Sequence, residues 1–473
     1  MSKRTKIVAT IGPSCSEGEV LKSMIKEGVN VFRVNFSHGS HQDHIDAIKK
    51  IRLLDKELGT HSAILADLQG PKIRIGDMPK EGLLLENNQE FILTTLEDHN
   101  FSSAAQIFID RIPKDVKVGE KVLLDDGKIH LEVLETNLKD TVKTKVIAGG
   151  LLFSKKGLNL PDTNINISSL TKKDKADLVI ALEHEVDWIG FSFVRSAREV
   201  IELRHLINSN NGNAKIIAKI EKPEAVENID SLIPYCDGLM VARGDLGVEI
   251  PMQEVPLIQK MLVNKAKKAR IPVIIATQMM ETMIENSVPT RAEVNDVANS
   301  IMDGADALML SGETSVGKNP IRVIQKMTEI IKSVENSPLI KVPQSAPHIR
   351  TDRFITKAIC HHAALMANDT NAKAICTFTK SGYTAFQISA WRPKAHVLAF
   401  SSEKRILGKL NLLWGVNAFF YDKNLSTDDT VIDINKISKE KGFVKEGDLT
   451  INLTSMPVEA KGMVNTLRTS EIK

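Results

Sequence analysis

The sequence predicts an α/β protein built on a barrel of eight strands, interrupted by a small all-β domain and followed by a second α/β domain. Three observations predict it. Eight short apolar runs alternate with segments of helical spacing in the first two thirds of the chain. One gap between runs exceeds a hundred residues and carries alternating, strand-type patterning instead. After about residue 345 the pattern breaks and a new alternation begins. Continuous apolar strands alternating with helices belong to a parallel sheet covered on both faces, and eight such units argue for a (β/α)8 TIM barrel. An open doubly wound sheet is the competing arrangement.

In order, the runs are "KIVATIGP" (6–13), "VNVFRVNFSHG" (29–39), "SAILADLQG" (62–70), "VDWIGFSFV" (186–194), "AKIIAKIE" (214–221), "DGLMVARGD" (237–245), "IPVIIATQ" (271–278) and "ADALMLSGE" (305–313). Segments such as "EGEVLKSMIKEG" and "VPLIQKMLVNKAKKAR" supply the helical spacing between them. Residues 71–157 hold short alternating runs with turn signals, "GLLLENNQEFILTT" and "DVKVGEKVLLDDGKIHLEVLETN" among them, and read as an inserted all-β domain. Helical spacing resumes at "SLTKKDKADLVIALEHE" (169–185), with Ser168 or Thr171 placed to cap it. The barrel is therefore expected over 1–70 and 158–345. A proline-bearing linker, "SPLIKVPQSAPHIRT", leads to the α/β domain at 346–473, where "AKAICTFT", "HVLAFS", "DLTINLTS" and "VNTLRTSEI" read as strands.

Composition is that of an ordinary globular chain, and a net charge of +3 with dispersed basic residues asks for no nucleic acid or membrane partner. Aromatics are only 4% of residues, too few for base-stacking platforms. The N-terminus lacks a signal-peptide run and no window approaches a membrane span, so the expected location is the cytoplasm. Cys15, Cys236, Cys360 and Cys376 show no CxxC pairing and read as buried thiols.

Function in such a barrel collects where strands end. Those positions hold Arg33, Asn35, Ser37 and His38; Asp67; Lys219 and Glu221; Arg243, Gly244 and Asp245; Thr277 and Gln278; Ser311 and Glu313. Lys219 and Glu221, two apart, share one face of their strand; they form either a plain salt bridge or part of a reacting site. Glu221 with Asp245 suits a hard divalent cation such as Mg2+, which takes one or two carboxylates and completes its octahedron with water and substrate oxygens. With Lys219 and Arg33 around the same point, the set makes a clamp for a transferring phosphoryl group. Two strings mislead. "GETSVGKN" (312–319) nearly fits a phosphate-binding loop but has Asn319 where a hydroxyl should bind the metal. "RGD" at 243–245 suggests adhesion, which a chain without a secretion signal does not support. In "DLQGPKIRIG" (67–76), Lys72 and Arg74 lie on one side of an extended segment, as if facing an anion.

Read together and in order, "TIGPS", "FRVNFSHG", "ADLQGPKIRIG", "KGLNLPD", "IIAKIEKPEAVENID", "DGLMVARGDLGVEIP", "VIIATQMMETM", "PTRAEVNDVAN" and "GADALMLSGETSVGKNP" resemble the pyruvate kinase family over nearly the whole chain. The resemblance implies phosphoryl transfer from phosphoenolpyruvate to ADP with protonation of enolpyruvate, a mobile lid in the inserted domain, an effector domain at the C-terminus and a homotetramer. By position, Lys219 matches the lysine that stabilises the transferring group and Arg33 an arginine that contacts it. Glu221 and Asp245 match Mg2+ ligands, for which Mn2+ can substitute. Gly244 and Asp245 match the backbone site of the substrate carboxylate, and Thr277 the residue beside the carbon to be protonated. Ser311 and Glu313 are candidates for the proton relay. Asn35, His38, Arg74 and Lys156 match nucleotide contacts. Asn35, Ser37, Asp67 and the carbonyl of Leu68 match the potassium site of many members. Those members carry threonine and lysine after the aspartate and then Gly-Pro-Glu, whereas this chain has Leu68, Gln69 and Lys72; the lysine can bring an ammonium where K+ would lie, so activity without K+ is expected. "TFTKSGYTAF" (377–386) matches the effector phosphate loop, in which Thr379, Lys380, Ser381, Gly382 and Thr384 would hold a phosphorylated sugar; plain capping by Ser381 or Thr384 is the alternative. The segment 457–469 lacks the tryptophan and basic pattern of fructose-1,6-bisphosphate-regulated relatives, which favours a sugar monophosphate or AMP. A magnesium-dependent lyase on the same fold and a non-catalytic sensing scaffold are the competing functions.

Overall fold

The structure, a computed structural model, describes residues 3–98, 100, 102–163, 167–337, 353–423, 425–456 and 463–473. Most of the proline-bearing linker and the start of the 457–469 segment lie outside these residues.

The chain opens with β1 (Lys6–Thr10), β2 (Val31–Asn35) and β3 (Ala63–Asp67). It then leaves for β4 (Leu83–Leu85), β5 (Glu90–Thr94), β6 (Ala104–Gln106), β7 (Lys121–Leu124), β8 (Ile129–Thr136), β9 (Thr141–Ala148), β10 (Gly150–Leu152) and β11 (Leu158–Asn159). It returns through β12 (Trp188–Phe191), β13 (Lys215–Ile220), β14 (Gly238–Ala242), β15 (Val273–Ala276) and β16 (Ala307–Leu310). The first three and last five of these close into one parallel barrel, in which β3 pairs β12 directly and β16 returns to β1. All eight predicted barrel strands are present. Their inward side chains, including Val8, Val31, Leu65, Trp188, Met240 and Ile274, fill the interior, so the barrel is a packed core and not a pore.

The insertion forms a six-stranded sheet, β11-β7-β8-β9-β5-β6, with a separate β10-β4 pair. It has its own core around Phe91, Leu93, Leu131, Val142 and Val146. Past it, helix Lys172–Glu183 starts at Thr171 and not at Ser168. The Thr171 hydroxyl accepts the Asp174 N–H at 3.0 Å, and the Asp174 carboxylate accepts the Thr171 N–H at 2.9 Å, a complete capping box. Asp174 is fully buried and also accepts the Gly70 N–H at 3.1 Å, which fastens the first crossing into the insertion to the barrel.

The C-terminal domain is one sheet, ordered β19 (Val416–Phe420), β18 (His396–Ser401), β17 (Ala374–Phe378), β20 (Leu449–Thr454) and β21 (Thr466–Glu471), with only β21 antiparallel. The edge strand β19 and helix Thr427–Glu440 escape the sequence reading; β19 is mostly half-buried and carries Asn417, so it lacks a continuous apolar run. This domain sits on the end of the barrel where strands begin. Leu412 and Phe386 join the barrel's interior cluster, Lys6 Nζ donates to the Val416 carbonyl at 2.6 Å, and Arg392 pairs with Asp306 at 3.0 Å. The opposite end is left for chemistry. Among the described residues no helix is long and apolar enough to cross a membrane, and all four cysteines are buried and free.

Candidate active site

Four strand ends converge on one buried point. β13 delivers Lys219, whose ammonium lies 3.2 Å from Asp67 Oδ1 and 3.0 Å from Glu221 Oε1 and donates to Ser192 Oγ at 2.7 Å. β2 delivers Arg33, whose Nε donates to Asp67 Oδ2 at 2.6 Å and whose Nη1 donates to Thr10 Oγ1 at 3.1 Å. The Asp67 and Glu221 side chains are each 1% exposed, so their charges exist only because cations face them. Burial pushes the Asp67 carboxyl upward, but Lys219 and Arg33 together hold it below the usual carboxylate range. Burial works against the Lys219 ammonium too, yet Asp67 and Glu221 hold its pKa above the ordinary lysine value.

Glu221 behaves differently. Burial raises its pKa, Lys219 opposes that, and the nearby Asp245 carboxylate adds to the rise. Its Oε2 accepts the Phe193 N–H at 2.7 Å, while its buried Oε1 has the Lys219 contact but no aligned hydrogen bond. An under-satisfied buried carboxylate oxygen beside a second carboxylate is a donor set for a hard cation. No cluster of three or more His, Cys, Asp or Glu side chains suited to a metal occurs among the described residues; Mg2+ completed by water and substrate oxygens requires only the two. The residues present therefore fit the ion.

On the next strands, β14 runs into helix Arg243–Glu249, and the Gly244 N–H donates to Thr277 Oγ1 at 2.8 Å. Thr277 has φ 69° and Gln278 φ 54°, left-handed backbone that a β-branched residue adopts only under constraint. The constraint is Arg243: its Nη2 donates to the Thr277 carbonyl at 2.8 Å, and its guanidinium grips Asp296 through two bonds of 2.7 Å. Glu313 accepts the Ser311 N–H at 2.6 Å on one oxygen and the Met280 N–H at 3.3 Å on the other. Burial raises the Glu313 pKa, and its two contacts tie together the segments that follow β15 and β16.

At the mouth, His38 is held below its ordinary pKa first by burial and then by Arg74, Arg33 and Lys72, which shows four of the predicted residues gathered in one cationic field. Asn35 Oδ1 accepts the Ser37 N–H at 3.2 Å. Arg74 donates to the Lys155 carbonyl at 2.9 Å, and Lys156 pairs with Asp125 at 2.7 Å, both within the insertion. Lys72 differs from expectation. Its ammonium pairs with Asp245 at 3.4 Å and Asp126 at 3.7 Å, not with Asp67. Asp67 is faced instead by Arg33 on one oxygen and by Lys219, at 3.2 Å without an aligned hydrogen bond, on the other, while the chain turns after Gly70 towards the insertion. The Leu68 carbonyl accepts from Ser192 Oγ at 2.7 Å.

The two misleading strings resolve structurally. In "GETSVGKN" the backbone N–H groups of Ser315, Val316, Gly317 and Lys318 all bond protein carbonyls, leaving no cradle for phosphate. In "RGD" the arginine is bound to Asp296 and mostly buried. In the C-terminal domain, Gly382 (φ 80°) caps helix Tyr383–Ala390 without a side-chain cap bond; its N–H donates to Thr379 Oγ1 at 3.0 Å. Lys380 and Ser381 are exposed, while Thr379 and Thr384 are buried. Residues that sequence reasoning left out of the site are Ser192, Asp174 and Asp296. Ser192 follows an apolar strand and could have been found by the strand-end rule; Asp174 and Asp296 lie on helices, where only tertiary contacts reveal them.

The pyruvate kinase barrel-domain family matches residues 2–324, and the pyruvate kinase alpha/beta-domain family matches residues 357–469. Pyruvate kinase 2 of Synechocystis is 39% identical across all of this chain and 80% of its own length. The pyruvate kinase of Clostridium acetobutylicum is 38% identical over the full length of both. A crystal structure of a pyruvate kinase from Cryptosporidium parvum superposes with a TM-score of 0.90 at 32% identity, covering 100% of this chain and 96% of that one.

Proposed function

Because the chain belongs to the pyruvate kinase family, a phosphotransferase family acting on phosphoenolpyruvate and ADP, we propose that the cluster around Lys219 is where this chain performs that reaction. The observation that carries the assignment is the meeting of Lys219, Arg33, Asp67 and Glu221 at one buried point. Lys219 and Arg33 hold the transferring phosphoryl group. Its bond to the enol oxygen breaks and a bond to the terminal oxygen of ADP forms, leaving an enolate. Lys219, kept cationic by Asp67 and Glu221, faces both the phosphoryl and the enolate charge, so one group stabilises two successive anions. The enolate then takes a proton at its methylene carbon on the Thr277 side, with Ser311 as relay and Glu313 positioning it; conversion to pyruvate makes the transfer downhill. Gly244 and Asp245 N–H groups hold the substrate carboxylate, the Gly244 N–H turning from Thr277 Oγ1 to do so. Glu221 and Asp245 would hold Mg2+, or Mn2+ in its place, which when bound neutralises charge on the phosphoryl and substrate oxygens. Asn35, His38, Arg74 and Lys156 meet the nucleotide phosphates.

The catalytic barrel spans 1–70 and 158–345, the lid 71–157 and the effector domain 346–473, the whole acting as a homotetramer. K+ is not required on this reading; what supports it is the departure of Leu68, Gln69 and Lys72 from the pattern of K+-dependent members, the Lys72 ammonium lying beside Asp245 at the site's mouth. The loop of Thr379, Lys380, Ser381, Gly382 and Thr384 takes a sugar monophosphate or AMP as activator; phosphoenolpyruvate saturation curves that no such ligand shifts would remove this part. A coupled assay for pyruvate formed from phosphoenolpyruvate and ADP tests the central reading, and its absence in the Mg2+-loaded enzyme overturns it.

A further inference from the structure

Helix Arg243–Glu249 carries Gly244 and Asp245 at its start and ends on a buried carboxylate that the reaction does not use. The Glu249 side chain is 1% exposed. Its Oε1 accepts from Lys222 Nζ at 2.7 Å and from Asn159 Nδ2 at 2.7 Å. Lys222 directly follows Glu221. Asn159 lies on β11, the strand by which the chain returns from the insertion, three residues beyond Lys156. One oxygen therefore joins the carboxylate-metal loop, the helix of the substrate carboxylate site and the return crossing of the lid.

The backbone at that crossing is bonded to the insertion and to the other crossing. β11 is two residues long and pairs with β7 of the insertion, the Leu158 N–H bonds the Ile73 carbonyl, the Ile75 N–H bonds the Lys156 carbonyl and Arg74 bridges Gly157. The outgoing crossing is tied to the barrel through Gly70 and Asp174; on the return crossing the Asn159–Glu249 bond does the equivalent. A buried charge with two donors from different segments fixes both geometries at once, because neither donor can leave without stranding the carboxylate.

We propose that Glu249 is a positioning residue that couples the lid's return hinge to the metal-binding loop. The proposal rests on the pyruvate kinase reading for the meaning of "lid" and "metal", and the wild-type coupled assay tests that reading separately. The test uses full-length Asn159→Ala, Lys222→Met and Glu249→Gln proteins with three readouts: Mn2+ affinity by electron paramagnetic resonance, deuterium uptake over residues 71–160 in the free enzyme, and KM for ADP set against kcat. Asn159→Ala is expected to raise lid uptake and the ADP KM by roughly tenfold, the size of one charge-assisted hydrogen bond, and to weaken Mn2+ by a smaller factor, because the carboxylate it releases also holds Lys222. Lys222→Met is expected to weaken Mn2+ by a similar factor and to raise lid uptake by a smaller one. Glu249→Gln is expected to show both defects. If Glu249→Gln lowers the melting temperature while leaving Mn2+ affinity and lid uptake at wild-type values, the carboxylate is merely structural and the proposal falls. Should Glu249→Gln not fold, the Asn159→Ala/Lys222→Met double variant decides: non-additive effects on the two readouts support a shared acceptor, and strict additivity overturns it.

Discussion

Asp67 and Lys219 depend on each other, and pH separates their contributions. The Asp67 carboxyl is held below the ordinary range when folded, so the stability it adds is present above its unfolded value near 3.9 and is lost as pH falls through the folded value. Lys219 is held above the ordinary range, so its contribution is complete below about 10.4 and is lost as pH rises through the folded value. Thermal melts of wild type and Asp67→Asn should therefore show a gap at pH 7 that narrows as pH falls below about 3.9; a constant gap would mean that Asp67 does not titrate as its partners require. Lys219→Met is expected to lower kcat by about a hundredfold or more, the loss typical of removing a group aimed at developing charge, with phosphoenolpyruvate still bound through Arg33. Lys72 carries the prediction on monovalent cations. Activity should persist in buffers free of K+, and Lys72→Glu should create a K+ requirement. A variant equally active with and without K+ would count against the assignment.

Among the elements, the outgoing crossing into the insertion is tightly constrained. Gly70 has φ 68°, and a Cβ there would lie 2.8 Å from Phe193 Cδ2 and 3.0 Å from Ser192 Cβ. Gly70→Ala should cost about 1–3 kcal/mol through strain and overpacking and raise the ADP KM, because Arg74 follows four residues later. Denaturant titration with steady-state kinetics checks both; a neutral substitution would show that the crossing relaxes freely. The elements were the most legible part of the chain. Barrel strands are buried on both faces and so read as unbroken apolar runs, while the cap of the helix after the insertion could be narrowed to Ser168 or Thr171 and the structure decides for Thr171. The missed strand β19 failed for the converse reason, since an edge strand keeps polar and half-exposed residues.

In the molecule as a whole, the C-terminal domain closes the barrel's lower end as a plug. Arg392 is central to the contact: its side chain is 4% exposed, it pairs with Asp306 at 3.0 Å, donates to the Gly304 carbonyl at 2.7 Å and lies over the Trp414 ring at 4.8 Å. Burial drives the Asp306 carboxyl upward, and Arg392 and the N–H groups of Val273 and Trp414 oppose it. Arg392→Met would strand that carboxylate, so a loss of about 3–5 kcal/mol is expected, together with, on the proposed effector reading, a smaller shift of phosphoenolpyruvate saturation by the activator. Calorimetry and saturation curves measure the two effects. An unchanged melting temperature would show that the domains are held together elsewhere.

The sequence by itself determined the strand periodicity, the place of the insertion and the residue types at the strand ends, because each is a local property: apolar runs, turn residues and the two-residue repeat of a strand. It also supplied Lys219, Glu221 and Thr277 as candidates, since polar groups that end apolar strands have few other reasons to be there. Only the tertiary structure decided what each of them faces. Arg33 and Lys219 reach Asp67 from other strands, Lys72 turns to Asp245 instead, Glu313 holds backbone N–H groups, and Glu249 joins three segments far apart in the chain. A charge in a buried site is settled by its partners within a few ångströms, and those partners are distant in sequence.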